Sequence, residues 1–135
     1  EMLKQLSIYA ENKKGALQAM TNALYEAGIN IWGSVTNDGA EYGINRMVVS
    51  DPDKAKEVLT EKGYLCRFVD VLAVEIEDKP GALNTLLTAL LDSNVNVDYT
   101  YLSFNRDSST PVMILHTADP EEVEICLKAK GFKMV

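Results

Sequence analysis

The sequence is poor in the residues that most often bind metals or catalyse reactions, with one histidine and two cysteines among 135 residues. Cys66 and Cys126 are too few and too far apart for a disulfide framework or a metal knuckle. It contains no Walker loop, dinucleotide fingerprint or His-Glu-x-x-His motif. The single histidine, His116, has no matched nucleophile. We therefore expect no catalytic residue, no cofactor and no metal site.

Positive charge and long apolar runs are also scarce. Lysine and arginine number 13 against 20 acidic residues, which gives a formal net charge of −7. Such a surface repels phosphate backbones, so we expect no nucleic-acid partner. No apolar run approaches the roughly 18 residues that cross a bilayer, and Glu1–Lys4 lack the apolar stretch of a signal peptide. We expect a soluble, cytoplasmic protein with no membrane partner.

The sequence does contain an internal duplication. Residues 11–17 read Glu-Asn-Lys-Lys-Gly-Ala-Leu, and residues 77–83, 66 positions later, read Glu-Asp-Lys-Pro-Gly-Ala-Leu. Farther along, Asp51 matches Asp119 at an offset of 68. The two extra residues fall in a polar stretch of the second copy, where a surface turn tolerates insertion. A duplication with both flanks in register predicts two copies of one structural unit.

Each copy has the pattern of a βαββαβ unit. Alternating apolar residues, as in Leu6–Ala10, predict strands, and apolar residues spaced by three, four and seven predict helices that lie on a sheet. Asn12 and Asp78 are predicted N-caps, and Asp38-Gly39 predicts a hairpin turn. The predicted apolar stripes of the first helices are Leu17, Met20, Leu24 and Ala27, then Leu83, Leu86, Leu87, Leu90 and Leu91.

This element order predicts the fold class. A βαββαβ unit puts two helices on one face of a four-stranded antiparallel sheet, the ferredoxin-like arrangement. We predict an α+β fold of two such units, residues 2–70 and 71–135, with their antiparallel sheets packed side by side. The third strands are apolar on both faces, which predicts that both faces are covered. Because the junction between Phe68 and Leu72 contains neither Gly nor Pro, we expect one rigid body and a homodimer.

The glycine-containing segment before the first helix of each copy is a candidate binding site. The backbone N–H groups of residues 15–17 and 81–83 are among those that a helix leaves unpaired. With the helix dipole they suit a carboxylate or a phosphate, and glycine lets a ligand approach the main chain. In the alternative interpretation, the glycine only permits a tight turn and Asn12 or Asp78 caps its own helix.

Two asparagines provide a second candidate feature. Asn30 and Asn96 open the second strand of each copy, just past the end of the same helix. A side-chain amide both donates and accepts hydrogen bonds, so it can contact the two ends of a zwitterion. Equally, each asparagine can simply make a turn bond before the strand.

The second copy resembles an ACT domain. The resemblance rests on Asp-Lys-Pro-Gly-Ala-Leu between a strand and a leucine-striped helix, followed by Asn94-Val95-Asn96 before the next strand. In the first copy Lys14 replaces the proline. The tandem arrangement is similar to stand-alone ACT pairs, which implies a non-catalytic regulatory module that senses amino-acid levels. The alternative is a structural dimerisation or assembly module with no ligand.

The resemblance also implies where a free amino acid binds. ACT proteins bind small ligands where units meet, with contacts from the glycine loop of one unit and from the start of the second strand, often of a neighbouring unit. Asp78 would repel a ligand carboxylate, so it either holds an ammonium group or only caps the helix. The implied ligand-binding residues are Asn12, Gly15, Ala16, Leu17, Asn30 and Ile31 in the first copy, and Asp78, Gly81, Ala82, Leu83, Asn96 and Val97 in the second.

Overall fold

The computed structural model describes residues 2–11, 13–37 and 42–135 of the chain. The fold divides into a first unit, residues 4–69, and a second unit, residues 2–3 with 70–135. The hairpin turn predicted at Asp38-Gly39 and the predicted N-cap Asn12 lie outside the described residues.

The first unit has the βαββαβ order that its sequence predicts. The elements are β1 (Leu3–Glu11), α1 (Ala16–Glu26), β2 (Ile31–Asn37), β3 (Tyr42–Val49), α2 (Pro52–Glu61) and the first part of β4 (Leu65–Glu75). The strands lie in the order β2-β3-β1-β4, and β3 pairs antiparallel with both β1 and β2. The two helices connect strands of this one sheet, as in a ferredoxin-like unit.

The second unit repeats this plan. After the second part of β4, the elements are α3 (Ala82–Asp92), β5 (Val97–Phe104), β6 (Pro111–Thr117), α4 (Pro120–Ala129) and β7 (Lys133–Met134). Strand β6 pairs antiparallel with β4 and with β5, and the short strand β7 pairs with β4. The predicted α+β class with two ferredoxin-like units is confirmed.

One strand is longer than the sequence pattern predicts. The last strand of the first copy and the first strand of the second copy are predicted as separate elements, but they form the single strand β4. Residues 65–75 contain no Gly or Pro and include several β-branched or aromatic residues. Such a stretch favours uninterrupted extended backbone.

Each unit has its own apolar core between helices and sheet. Leu6, Met20, Leu24, Met47 and Leu59 are fully buried in the first; Leu86, Leu115 and Leu127 are fully buried in the second, with Leu90 at 1% exposure. Strand residues that alternate with the core positions are buried as well, including Val48 and Ile114. Because successive strand residues point to opposite faces, β3 and β6 are covered on both faces, as their sequences predict.

The predicted apolar stripe of α3 is only partly correct. Leu86 and Leu90 are buried, whereas Leu83, Leu87 and Leu91 are exposed, Leu91 by 75%. Leu83, Leu87 and Leu91 follow a spacing of four and form a row of their own, about 100° around the helix from the buried row. A helix lying on a sheet buries one such row, so the second row faces outward. The same holds in α1, where Met20 and Leu24 are buried and Leu17 is exposed.

The buried thiol of Cys66 gives a testable pH dependence. Burial in the first core raises the pKa of this thiol above its ordinary value of 9.0, and the nearby positive charge of Lys56 partly offsets the shift. The folded chain then keeps this proton at pH values where the unfolded chain loses it. The stabilising contribution is therefore complete below about pH 9 and is lost as pH rises through the pKa of the folded state.

Because the thiolate is the reactive form, Cys66 is expected to react more slowly with an aromatic disulfide reagent than the half-buried Cys126. The measurement uses Cys126→Ala to report on Cys66 and Cys66→Ala to report on Cys126, both at pH 8. Urea midpoints between pH 8 and 10 should fall more steeply for the wild type than for Cys66→Ala. Faster labelling of Cys66 would contradict its burial.

Candidate functional site

The glycine loop of the second unit is a tight turn that leads into α3. The N–H of Ala82 donates to the carbonyl oxygen of Lys79 at 3.2 Å, and Gly81 has φ +88° and ψ −8°. With Pro80 at the second position and a positive φ at the third, residues 79–82 form a type II turn. Glycine is required at the third position because other L-residues are strained there.

The first unit repeats this geometry without the proline. The N–H of Ala16 donates to the carbonyl oxygen of Lys13 at 3.2 Å, and Gly15 has φ +84° and ψ −8°. The two copies therefore share one backbone conformation at this point. The Pro80-Gly81 pair of the second copy is itself a type II turn signal. The sequence therefore contains the information that predicts this turn before α3.

The prediction that Asp78 caps α3 is wrong. Gly81 occupies the N-cap position, and among the described residues no side chain makes a capping hydrogen bond to α3. Pro80 accordingly precedes the helix and does not lie in its first turn. Helix α1 starts after Gly15, which likewise has no side-chain capping bond within the described part of the chain. The glycines are thus needed for the turn, as one interpretation predicted.

The predicted residues of the first unit fall at two ends of α1. Gly15, Ala16 and Leu17 lie at its start, whereas Asn30 and Ile31 follow its end. Eleven helical residues separate the two sets by about 16 Å. Within the first unit, these sets do not form one site.

The main chain of Asn30 is hydrogen-bonded to Ser50, the residue that follows β3. Its N–H donates to the Ser50 hydroxyl at 2.9 Å, and its carbonyl accepts from the Ser50 N–H at 2.9 Å. Because Ser50 lies 20 residues away, these bonds are not the local turn bond of the alternative interpretation. Asn30 itself is exposed.

Asn96 lies in an acidic cavity of the second unit. Its side-chain N–H donates to an oxygen of Asp98 at 3.2 Å. Asp98, Asp119 and Glu122 share the lining of this cavity of about 430 Å³. Three carboxylates favour a cationic group over an anion. Val97, the first residue of β5, is half-buried beside it.

Asp98 and His116 form a side-chain pair that no sequence motif indicates. The Nδ1 of His116 lies 2.8 Å from an oxygen of Asp98, and its ring stacks on Tyr99 with centroids 4.9 Å apart. The pairing of β5 with β6 places His116 opposite Tyr99. Because the partners are 18 residues apart in sequence, only the strand register brings them together.

The first glycine loop borders two cavities. One of about 190 Å³ is lined by Ala16 and Leu17 of α1 and by Asn45 of β3; we call it the Asn45 cavity. The other is a cleft of about 630 Å³ that includes Lys14 and Gly15. Candidate residues at the start of α1 therefore face open space next to lysine side chains.

The second glycine loop borders one cleft of about 380 Å³, which includes Ala82 and Thr85 of α3. Its lining also contains Lys79 and Lys133, and the ammonium of Lys133 lies 3.4 Å from a carboxylate oxygen of Glu75. Gly81, Leu83 and Asp78 are exposed around it. At each glycine loop, the start of a helix therefore lies beside a cleft that is lined by both lysine and glutamate side chains.

Metal binding and membrane insertion find no support in the described ranges. Residues 2–11, 13–37 and 42–135 contain no group of three His, Cys, Asp or Glu side chains placed to hold a metal ion. Within the same ranges, each helix is too short or too polar to cross a bilayer.

Comparison with known proteins identifies the family. A family model described as an ACT domain pair matches residues 2–134. The structure of protein BT0572 from Bacteroides thetaiotaomicron is 30% identical in sequence and has a TM-score of 0.90; the match covers 99% of this chain and 92% of that one. No curated protein matches the sequence.

More distant structures share the fold. The regulatory subunit of aspartate kinase from Thermus thermophilus is 15% identical with a TM-score of 0.69, covering 96% of this chain and 91% of that chain. The corresponding subunit from Thermus flavus is 19% identical with a TM-score of 0.61, covering 94% and 90%.

Proposed function

Because this chain belongs to the family of ACT domain pairs, we propose that it is a non-catalytic regulatory module that binds a free amino acid where ACT units meet and so senses amino-acid levels. The ligand contacts are the glycine loop of one unit and the start of the second strand of another. The regulatory subunits of aspartate kinase, which share the fold, are consistent with such a role. Binding at a junction of units shifts the population of their arrangements.

The observation that carries the proposal is the uncapped start of α1 and α3. Among the described residues neither helix has a side-chain cap, and each starts beside a cleft with lysine side chains. The first-turn amides that the type II turn does not use, together with the positive end of the helix dipole, attract a carboxylate. Asn30 and Asn96 are exposed at the other end of each helix, so they are available to a neighbouring unit rather than to their own.

The same proposal includes a homodimer in the cytoplasm. Cys66 and Cys126 are both free thiols, as in reducing compartments. The exposed row of Leu83, Leu87 and Leu91 on α3 is an apolar surface of the kind that subunit contacts bury.

Calorimetric titration with each of the twenty amino acids tests the proposal. We expect saturable binding of at least one of them at or below millimolar concentration. At a hundredfold excess over its Kd, that ligand should stabilise the fold by about 2.7 kcal/mol in a urea titration. If all twenty amino acids give no heat and no stabilisation, the chain is an assembly module and not a sensor.

A further inference from the structure

The Asn45 cavity lies in the first unit, and its floor is polar. Asn45 is 2% exposed, so its side-chain amide lies at the edge of the apolar core. The amide donates to the Thr36 hydroxyl at 2.7 Å and to the Ser34 hydroxyl at 3.1 Å. Burying an amide costs free energy unless it is hydrogen-bonded, and these bonds hold it in place.

This polar floor has unused hydrogen-bonding capacity. Within the described ranges, the only bond that the Asn45 side-chain oxygen accepts is a long one of 3.4 Å from Ser34. The hydroxyl of Thr36 accepts from Asn45, and its own proton remains to be donated. The floor therefore offers one acceptor and one donor to a group that carries both, such as a hydroxyl or a carboxamide.

The register of the strands identifies the matching positions of the second unit. Asn45 pairs with Ile8 and Thr36, and Met113 pairs with Val74 and Leu102. Met113 is therefore the counterpart of Asn45, and Leu102 of Thr36.

The counterpart of Ala10 in the cavity wall is Ile76, 66 residues later. Met113 belongs to the second core, and Ile76 packs against it. In the second unit, large apolar side chains thus fill the space that small and polar residues leave open in the first unit. Filling such a cavity normally adds stability. A cavity that stays open and polar therefore lowers stability, and such losses of stability are expected at functional sites.

The mouth of the cavity carries both signs of charge. Glu11 and Lys13 line it, and the ammonium of Lys13 lies 3.2 Å from a carboxylate oxygen of Glu11. One anion and one cation suit the two charged ends of a zwitterion. A volume of about 190 Å³ is ample for several waters but lies below the roughly 300–1,000 Å³ of sites for drug-sized ligands.

We infer that the first unit is the recognising copy, and that the Asn45 cavity receives the side chain of a small amino acid bearing a hydroxyl or carboxamide. The inference rests on the amino-acid binding proposed above. Glu11, Lys13 and the start of α1 bind the backbone of the ligand. Asn45 and Thr36 form hydrogen bonds with its side chain. In the second unit, Met113 and Ile76 close the equivalent space.

Matched pairs of polar and apolar amino acids test this selectivity. Calorimetry compares threonine with valine, serine with alanine and asparagine with leucine. At least one polar member should bind about tenfold more tightly than its apolar partner, the effect of one buried hydrogen-bonded group. Asn45→Met, which copies the second unit, should abolish that preference. Thr36→Val should weaken it, and Ala10→Ile should weaken binding of every ligand by filling the cavity.

Asn84→Met is the matched control, because Asn84 is exposed on α3, and it should retain the wild-type preference. Circular dichroism checks that each variant folds. If Asn45→Met does not fold, the ligand affinities of Thr36→Val and Ala10→Ile test the inference instead. An amino acid that binds without polar preference, or whose preference survives in Asn45→Met, overturns the inference while leaving the proposed function intact. If no amino acid binds at all, the proposed function and this inference both fail.

Discussion

Leu90→Ala is expected to lower the free energy of unfolding by about 2–5 kcal/mol, the range for removing a buried leucine side chain. Leu90 is 1% exposed and belongs to the core of the second unit. Its truncation leaves a cavity that the surrounding helices and strands fill only in part. The urea midpoint, followed by circular dichroism, measures the loss against a typical total stability of about 5–15 kcal/mol.

The adjacent residue offers a matched control for this change. Leu91 is 75% exposed, so Leu91→Ala removes the same atoms from the same helix with an expected effect within about 0.5 kcal/mol in the monomer. If the two variants lose the same free energy of unfolding, α3 does not pack against its sheet through Leu86 and Leu90.

Glutamate at the glycine loops is expected to remove ligand binding. In Gly15→Glu or Gly81→Glu, the new carboxylate lies at the start of α1 or α3, where it competes for the amides and repels the carboxylate of the ligand. We expect at least one of these variants to lose about a hundredfold in affinity, or about 2.7 kcal/mol. Calorimetry measures the affinity, and sedimentation should show an unchanged oligomeric state.

Alanine at the same positions separates backbone strain from charge. A Cβ atom at Gly15 or Gly81 would meet nothing within 4 Å, but both glycines have positive φ. Gly15→Ala and Gly81→Ala should therefore lose about 1–2 kcal/mol of stability and keep most of their affinity. If both glutamate variants bind the ligand like the wild type, the glycine loops are only turns and the ligand binds elsewhere on the chain.

The element order was predictable because it depends on local patterns that the duplication repeats. Strands β3 and β6 span Tyr42–Val49 and Pro111–Thr117, and turn residues flank each of these apolar runs in the sequence. Helix α2 begins after Asp51, whose side chain accepts from the Lys54 N–H at 3.2 Å. Local hydrogen bonding of this kind requires no knowledge of distant contacts.

The candidate site was less predictable. The sequence placed the glycine loops correctly before α1 and α3, but Asp78 is not the cap of α3 that the sequence predicts. A type II turn and a capped helix start differ only in backbone dihedral angles, and the decisive signal was the Pro80-Gly81 pair. Asn45 was not singled out at all, because nothing in a strand sequence tells whether a single polar residue faces solvent or the edge of a cavity.

The sequence by itself determined the duplication, the βαββαβ order and the positions where glycine is obligatory, because these follow from periodicity and from the steric limits of single residues. Tertiary structure alone decided which of two leucine rows α3 buries. It also decided that His116 meets Asp98, and that Asn45 borders a cavity while Met113 fills its counterpart. These outcomes depend on strand register and on the volume left between helix and sheet, which arise only when elements distant in sequence pack together.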